Sequence, residues 1–233
     1  QDLPLRLIFL DRPMHAAAQN IAARVAKGEV LLSLDDDVEF GPDLLRLYPD
    51  PLCGRLREHL SAMHGVRPEQ VFVGNGSDEV LALCARAFVE HDGTGTIGWF
   101  DPSYSLYPVL AAIEQVPTKP IPLGPAFDWN MPEGYAASLF FLTHPNAPTG
   151  MLYPEADIRR FCERFPGVVL ADEAYVDFAD RDLVDLARTL PNVLVARTLS
   201  KSYSLAGLRL GYAVGPEPLI AALFTIKDSY NVS

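Results

Sequence analysis

The chain has 233 residues, 49% of them hydrophobic and 21% charged, which is typical of a globular protein with a sizeable core. Its 19 basic and 30 acidic residues give a formal net charge of −11, which argues against nucleic acid or an anionic membrane surface as the main partner. The first apolar run, LRLIFL, is far shorter than the roughly 20 residues of a membrane span. We therefore expect no membrane partner.

Three scattered cysteines, Cys53, Cys84 and Cys162, form no Cys-x-x-Cys pair. This set predicts neither a disulfide framework nor a zinc site, and it favours a reducing, cytoplasmic location. The five histidines also lack the spacing of metal ligands. We therefore expect no bound metal.

Helical and strand patterns alternate along most of the chain. Residues 12–28 have helical composition, and residues 29–51 are irregular and end in turn-forming types. The regular pattern that follows predicts helices at 56–65, 77–91, 104–113, 154–165 and 216–228, and strands at 70–74, 95–100, 137–145, 167–175, 192–200 and 209–215. Apolar strands separated by amphipathic helices predict an α/β fold, a mostly parallel sheet covered by helices on both faces. In open sheets of this class the ligand lies at the carboxyl ends of the strands, so polar residues there are the candidates.

The segment GTGTIG at 93–98 matches the dinucleotide-binding pattern Gly-x-Gly-x-x-Gly. That pattern requires a strand before it and a helix after it, whereas this segment follows a predicted helix and leads into a strand. We interpret it as the loop that follows the helix.

The segment VFVGNGSDEVL has a predicted strand before its glycines and a predicted helix after them, which the previous segment lacks. A predicted strand ends, Asn75, Gly76 and Ser77 turn the chain, and a helix begins. A helix N-terminus offers free backbone N–H groups to an anion. An ordinary capped helix, with Ser77 as the cap and Asp78 in the first turn, explains the same residues.

Polar side chains also follow two later strands. Asn146 comes after FFLTHP as a candidate amide donor, although a turn alone would favour Asn and Pro there. Asp172 follows the four apolar residues of VVLA, where a carboxylate is costly unless it is paired. It either caps a loop or faces a buried cation such as a protonated ring nitrogen. Tyr175 is close enough along the chain to add a hydroxyl.

The segment RTLSKSYSLAGLRLGYAVG places a lysine and an arginine among small and apolar residues. Thr198 and Ser200 lie at the end of one predicted strand, Lys201 directly follows it, and Arg209 is the first residue of the next. A lysine that is poorly solvated and near another cation becomes a usable amine nucleophile, although lysines on solvated loops are common. Arg209 is suited to bidentate binding of a phosphate.

Together these residues describe a single ligand. Lys201 fits an aldehyde, Asp172 fits a ring nitrogen that carries a proton, and the helix N-terminus with Arg209 fits a phosphate. Pyridoxal 5′-phosphate has all of these groups, with Lys201 as the residue that links to it covalently.

With these motifs the sequence resembles the fold-type-I pyridoxal-phosphate aminotransferases, and within that family it is most similar to the histidinol-phosphate aminotransferases. The similarity runs from about Leu47 to the last residue and rests on blocks that follow one another in the order of that family. These blocks are RLYPDP, FVGNGSDEVL, FDPSYSLY, THPNAPTG, LADEAYVDF, TLSKSYSLAGLRLGY and KDSYNVS.

The resemblance implies a role for each matching residue. Lys201 would link to the cofactor and then shuttle a proton, and Asp172 would pair with the ring nitrogen. Tyr175 would act with them, bonding the phenolic oxygen together with Asn146, while Tyr104 would stack on the ring. The residues implied to hold the phosphate are Gly76, Ser77, Asp78, Thr198, Ser200 and Arg209.

The resemblance also has consequences beyond the site itself. Tyr48 would reach the cofactor phosphate of the neighbouring subunit, which implies a homodimer. The family's plan would give an N-terminal arm at 1–46, a large cofactor-binding domain at 47–233, and a small C-terminal domain beyond Ser233. The stretch DDDVEFGP at 35–42 departs from the asparagine-rich segment usual in the family, so the substrate is less well specified than the cofactor.

The expected activity is amino-group transfer between histidinol phosphate, an imidazole-bearing amino phosphate, and 2-oxoglutarate, as in histidine biosynthesis. Three alternatives stay open: a decarboxylase of a phosphorylated amino acid, an aminotransferase for another, aromatic amino acid, and a non-catalytic cofactor-binding domain of a transcriptional regulator. The last alternative would bring a basic DNA-binding segment, which this acidic chain does not suggest.

Overall fold

The computed structural model describes residues 48–232. The helix predicted at 12–28, the acidic stretch at 35–37 and the predicted boundary at 46–47 all lie outside the described residues. The division into an N-terminal arm and a large domain therefore stays a prediction. None of the helices between residues 48 and 232 has the length and apolar character needed to cross a membrane.

Helices and strands alternate through the described part of the chain, as the sequence predicts. The helices are α1 (Gly54–His64), α2 (Ser77–Ala87), α3 (Leu106–Ile113), α4 (Glu155–Arg164), α5 (Val184–Thr189) and α6 (Glu217–Ile226). The strands are β1 (Val71–Asn75), β2 (Ile97–Asp101), β3 (Thr118–Pro122), β4 (Leu139–Thr143), β5 (Val168–Asp172), β6 (Val193–Thr198) and β7 (Leu210–Val214).

These strands form a 7-stranded sheet in the order β1-β7-β6-β5-β4-β2-β3. β7 runs antiparallel to both of its neighbours, and the other pairings within residues 48–232 are parallel. The predicted mostly parallel sheet is therefore confirmed. The register places Thr143 beside Asp172 and Asp172 beside Ala196, so the carboxyl ends of β4, β5 and β6 lie level at one edge.

The sequence patterns miss β3 and α5. β3 is an edge strand whose side chains are mostly exposed, and it contains Pro120 and Pro122, which cannot donate to a ladder and are tolerated at an edge. α5 has only 6 residues, too few for a helical period to be recognised. α2 ends at Ala87 rather than at residue 91. The segment 93–98 follows α2, and its last two residues are the first two of β2, so it comes after a helix and leads into a strand as we interpreted.

Helices cover both faces of the sheet. Leu60 of α1, Ile158 of α4 and Leu186 of α5 pack on one face against Val169 and Val195. The other face is covered by α2, α3 and α6 through Val80, Leu81, Tyr107, Leu110, Ile220 and Leu223. Each large apolar side chain buried in this way stabilises the fold by about 1.5–3 kcal/mol, so the core holds the strand ends in place.

Glu173 and Arg197 form a buried ion pair at the ends of β5 and β6. Arg197 Nη2 lies 2.8 Å from Glu173 Oε2, and the Glu173 side chain is 0% exposed. The other carboxylate oxygen accepts the Leu183 N–H at 2.5 Å. Burial raises the pKa of Glu173 to about 7, and Arg197 acts against that rise. The pair therefore joins two strand ends to the segment that enters α5.

Removing Arg197 should be costly because the Glu173 carboxylate would stay buried without its partner. We expect Arg197→Met to lower the free energy of unfolding by about 3–5 kcal/mol, measured by urea titration. The double variant Glu173→Gln/Arg197→Met should recover much of that loss. As a control, Arg67→Met breaks the exposed pair with Glu217 and should change stability little. Equal losses for the two arginine variants would contradict the prediction.

Candidate active site

A cavity of about 200 Å³ opens at the carboxyl ends of β4, β5 and β6. Its wall consists of Ser77, Asp78, Tyr104, Thr143, Ala147, Asp172, Ala174, Tyr175, Thr198, Ser200, Lys201, Ala206 and Arg209. Most of the predicted site residues therefore meet in one place. A neighbouring cavity of about 250 Å³ shares Tyr104 and adds Asp101, but the described residues of its wall include no cation. The first cavity is the candidate site.

The turn between β1 and α2 forms a cradle for an anion. Gly76 has φ +78°, a conformation that favours glycine, and it leads into Ser77, the first residue of α2. A Cβ at Gly76 would lie 2.7 Å from Arg209 Nη2, and a Cβ at Gly211 would lie 2.3 Å from the backbone N of Ser77. The two glycines therefore let Arg209 and β7 approach the turn closely. The N-terminus of α2 and a guanidinium lie together as a result, which is an arrangement suited to phosphate.

The polar side chains of this cradle contact one another. Arg209 Nη2 lies 3.6 Å from Asp78 Oδ2, and Tyr104 OH donates to Asp78 Oδ1 at 3.3 Å. The Thr198 hydroxyl donates to Ser200 Oγ at 3.0 Å and accepts the Ser200 N–H at 3.2 Å. The Arg209–Asp78 contact is long and both side chains are half exposed, so this ion pair is weak.

Asp172 is a buried carboxylate in the cavity wall, with 3% of its surface exposed. Tyr107 OH donates to Oδ2 at 2.8 Å, and the Ala174 N–H donates to Oδ1 at 3.2 Å. Burial raises the pKa of Asp172, and both of these hydrogen bonds act against the rise. A carboxylate in this setting either keeps a proton or favours a cationic partner.

Lys201 is less enclosed than the sequence leads us to expect. Its side chain is exposed, and Nζ lies 5.3 Å from the ring centroid of Tyr175. The expected poor solvation of this amine is not found among the described residues, because all of 201–204 is exposed. Small residues around Lys201 leave its loop open to water instead of enclosing it. The amine is nevertheless part of the cavity wall.

Three of the predicted site residues lie outside this cavity wall: Gly76, which directly precedes Ser77, Asn146 and Tyr48. Asn146 is 2% exposed, and its Nδ2 donates to Pro102 O at 3.1 Å and to Thr149 Oγ1 at 2.9 Å. A contact between its amide and a ligand stays a prediction, and one of these hydrogen bonds would have to be released for it. Tyr48 is 79% exposed and stacks on Tyr230 with 4.4 Å between ring centroids. Its contact with a second subunit also stays a prediction.

Sequence reasoning misses a group of hydroxyls behind Asp172. Tyr107 OH lies 2.6 Å from Thr143 Oγ1, which lies 2.7 Å from Ser103 Oγ. We call Ser103, Thr143 and Tyr107 the hydroxyl chain. Tyr107 falls within an apolar helix, where a tyrosine is an ordinary core residue. The available signal was the position of Thr143 at the end of β4, level with Asp172.

Comparison with known proteins identifies the family. The profile described as Aminotransferase class I and II matches residues 43–233, and the chain therefore belongs to this family. Histidinol-phosphate aminotransferase of Aromatoleum aromaticum is 47% identical over 195 residues, covering 81% of this chain and 54% of that protein. Histidinol-phosphate aminotransferase of Geobacter sulfurreducens is 46% identical over 198 residues, covering 83% and 56% respectively. The chain spans about half the length of the curated relatives it matches.

Solved structures share the fold. Histidinol-phosphate aminotransferase from Sinorhizobium meliloti, in complex with pyridoxal-5′-phosphate, has a TM-score of 0.73 at 27% identity, covering 80% of this chain and 53% of that chain. L-threonine-O-3-phosphate decarboxylase from Porphyromonas gingivalis has a TM-score of 0.71 at 22% identity, covering 82% and 61%. The second likeness shows the fold alone. Both agree with the predicted fold class.

His144 is a buried histidine at the end of β4. It is 0% exposed, and neither ring nitrogen has a hydrogen-bond partner among the residues that the structure describes. Burial lowers the pKa of His144 from 6.5 to about 4, and Arg181 contributes in the same direction. The ring is therefore neutral in the folded chain at neutral pH.

This neutral histidine predicts a loss of stability in mild acid. Because the folded pKa lies below the unfolded value of 6.5, the stability present above that pH is lost as the pH falls towards 4. Between pH 8 and pH 5 we expect His144 to account for about 2 kcal/mol of the fall in unfolding free energy. His144→Asn should remove that part of the pH dependence in urea titrations. An unchanged pH dependence would contradict the prediction.

Proposed function

We propose that this chain is the cofactor-binding part of a pyridoxal-phosphate aminotransferase that acts on histidinol phosphate and 2-oxoglutarate. The observation that carries the proposal is the meeting of Lys201, the buried Asp172 and the phosphate cradle with Arg209 in one cavity. The choice of amino donor is supported by the 47% identity to a relative named for histidinol phosphate.

The cavity fits pyridoxal phosphate group by group. The turn at Gly76, where a Cβ would meet Arg209, suits the phosphate. Asp172 is buried and forms no ion pair among the described residues, since Lys201 acts on its charge only from a distance, and this suits a protonated ring nitrogen. The reachable amine of Lys201 suits the aldehyde. Tyr104 in the cavity wall supplies an aromatic face for the ring.

Each residue would then have a defined task. When bound, pyridoxal phosphate supplies an electron sink for the electron pair left when a bond at the substrate Cα breaks. Asp172, oriented by Tyr107 and the Ala174 N–H, would keep the ring nitrogen protonated. Lys201 would bind the aldehyde carbon and, once the substrate amine displaces it, move the Cα proton. Tyr175, whose ring centroid lies 5.3 Å from that amine, would donate its hydroxyl to the ring oxygen.

We also propose that the protein is a cytoplasmic homodimer in which Tyr48 serves the cavity of the second subunit. Tyr48 is 79% exposed and is not part of the wall of its own cavity among the described residues. A tyrosine hydroxyl is a suitable donor to a phosphate oxygen. The stacking of Tyr48 on Tyr230 would orient the ring for such a contact.

Lys201 is expected to carry the covalent link to the cofactor. Borohydride reduction of the protein loaded with pyridoxal phosphate should attach the cofactor to Lys201, as read by mass spectrometry of the digested chain. Lys201→Ala should abolish attachment and retain phosphate binding, because other residues build the cradle. As a control, Lys227→Ala removes an amine that is not in the cavity wall and should leave attachment intact. Attachment to Lys227 in the unmodified protein would show that the site is misassigned.

Asp172→Asn tests the proposed activity. The full-length protein is assayed for glutamate formed from 2-oxoglutarate with histidinol phosphate and, separately, with aromatic amino acids. We expect turnover with histidinol phosphate, and a loss of about 100-fold or more in the variant, because a neutral amide cannot hold the ring nitrogen protonated. Release of carbon dioxide without glutamate would support a decarboxylase instead. Faster turnover of an aromatic amino acid would replace the proposed donor.

A further inference from the structure

The Tyr107 hydroxyl is the only side-chain hydrogen-bond partner of Asp172 among the described residues. Tyr107 is 0% exposed, and its hydroxyl lies 2.8 Å from Asp172 Oδ2. Its ring stacks on Phe141 of β4, with 4.5 Å between ring centroids and an angle of 16° between the ring planes. The ring cannot rotate away without disturbing the core, so the position of the hydroxyl is fixed by packing.

The hydroxyl chain connects Asp172 at one end to the side-chain amide of Asn146 at the other. Tyr107 OH lies 2.6 Å from Thr143 Oγ1, Thr143 Oγ1 lies 2.7 Å from Ser103 Oγ, and Ser103 Oγ lies 3.0 Å from Asn146 Oδ1. The orientation of the Asn146 amide is fixed, because its Nδ2 donates to the carbonyl oxygen of Pro102 at 3.1 Å. A carbonyl can only accept, so the oxygen of the amide must face Ser103.

The protons of this arrangement can be counted. Four contacts join Asp172, Tyr107, Thr143, Ser103 and Asn146, but the three hydroxyls bring only three protons. The amide oxygen at one end accepts only, and so does an ionised carboxylate at the other. All four contacts are hydrogen bonds only when Asp172 itself carries a proton and every donor points towards Asn146. When Asp172 is ionised, Tyr107 donates to it and one contact further along stays unmade.

We propose that Tyr107 is the positioning residue of Asp172, and that the hydroxyl chain reverses its direction when Asp172 passes its proton to the ring nitrogen of the bound cofactor. In this step the O–H bond of Asp172 breaks and an N–H bond of the ring forms. Tyr107 changes from acceptor to donor by rotation of its O–H, and no other proton leaves the chain. The inference rests on the proposed function, because it requires pyridoxal phosphate in the cavity.

Burial raises the pKa of Asp172, and Tyr107, the Ala174 N–H and the charge of Lys201 act against that rise. The chain also explains why Asp172 is surrounded by neutral donors. A fixed cation would hold the carboxylate ionised permanently, whereas a hydroxyl can serve both protonation states by rotating. Tyr107 therefore orients the Asp172 carboxyl group in both its protonated and its ionised state.

Tyr107→Phe removes one hydroxyl and keeps the ring, and Tyr153→Phe is its matched control. Tyr153 is also buried, at 2% exposure, lies in the cluster on the other face of the sheet, and has no hydrogen-bond partner for its hydroxyl among the described residues. The full-length variants are titrated with pyridoxal phosphate. The readouts are the dissociation constant and the pH midpoint of the visible absorbance change of the bound cofactor.

We expect Tyr107→Phe to weaken binding about tenfold and to raise the midpoint by about one pH unit, the size expected for one lost hydrogen bond to a charged group. The midpoint rises because a ring nitrogen that is less firmly protonated withdraws fewer electrons from the nitrogen linked to Lys201. Tyr153→Phe should match the unmodified protein in both readouts. Identical values for the two phenylalanine variants would overturn the inference while leaving the proposed function intact.

Variants of Thr143 test the hydroxyl chain beyond Tyr107. They also test the inference if Tyr107→Phe does not fold. Thr143→Val removes the neighbour that donates to Tyr107 when Asp172 is ionised, so we expect a smaller rise of the midpoint in the same direction. Thr143→Ser retains a hydroxyl, so its pH midpoint should rise less than that of Thr143→Val. Equal midpoints for these two variants would overturn the reversible chain. If the unmodified protein binds no pyridoxal phosphate, the proposed function fails and this inference fails with it.

Discussion

The buried carboxylate of Asp172 sets the requirements that the rest of the site meets. A carboxylate with 3% exposure destabilises the fold unless hydrogen bonds or a counter-charge replace the lost water. The parallel register fixes its neighbours, because it places Thr143 and Ala196 level with it on the adjoining strands. One donor is the hydroxyl of Tyr107, which α3 holds in the core, and the other is the N–H of Ala174, two residues further along the chain. The carboxylate is therefore oriented from the core on one side and by its own backbone on the other.

The next residue, Glu173, is also a buried acid, but its charge is compensated in a different way. Successive residues of an extended chain point to opposite faces, so the two acids have separate surroundings. Glu173 has Arg197 at 2.8 Å, whereas Asp172 has only neutral donors among the described residues. This edge of the sheet therefore contains a cation, Arg197, but it pairs with Glu173 and not with the neighbouring Asp172. The contrast supports the proposed pairing of Asp172 with a cationic group of a ligand.

The sheet and most of the cavity wall can be predicted from sequence because both depend on local patterns. Apolar strands between amphipathic helices indicate the sheet, and polar residues directly after strands indicate its carboxyl edge. Tyr107 and Asp172, however, are 65 residues apart and meet only through the sheet register. A single sequence gives no means of distinguishing Tyr107 from Tyr153, since both are tyrosines among apolar neighbours. The solvation of Lys201 escapes prediction for a related reason: small neighbours indicate tight packing in a core but openness in a loop.

The phosphate cradle illustrates how an acidic chain can hold an anion. At a formal net charge of −11 the chain as a whole repels a phosphate, so the attraction must be local. Close contacts at Gly76 and Gly211 bring Arg209 against the N-terminus of α2 and preorganise both positive groups. Asp78 lies 3.6 Å from the guanidinium, close enough to orient it but too far and too exposed to bind it strongly. A doubly charged phosphate that accepts two parallel N–H bonds would displace this single carboxylate, so Asp78 holds Arg209 in place without competing effectively for it.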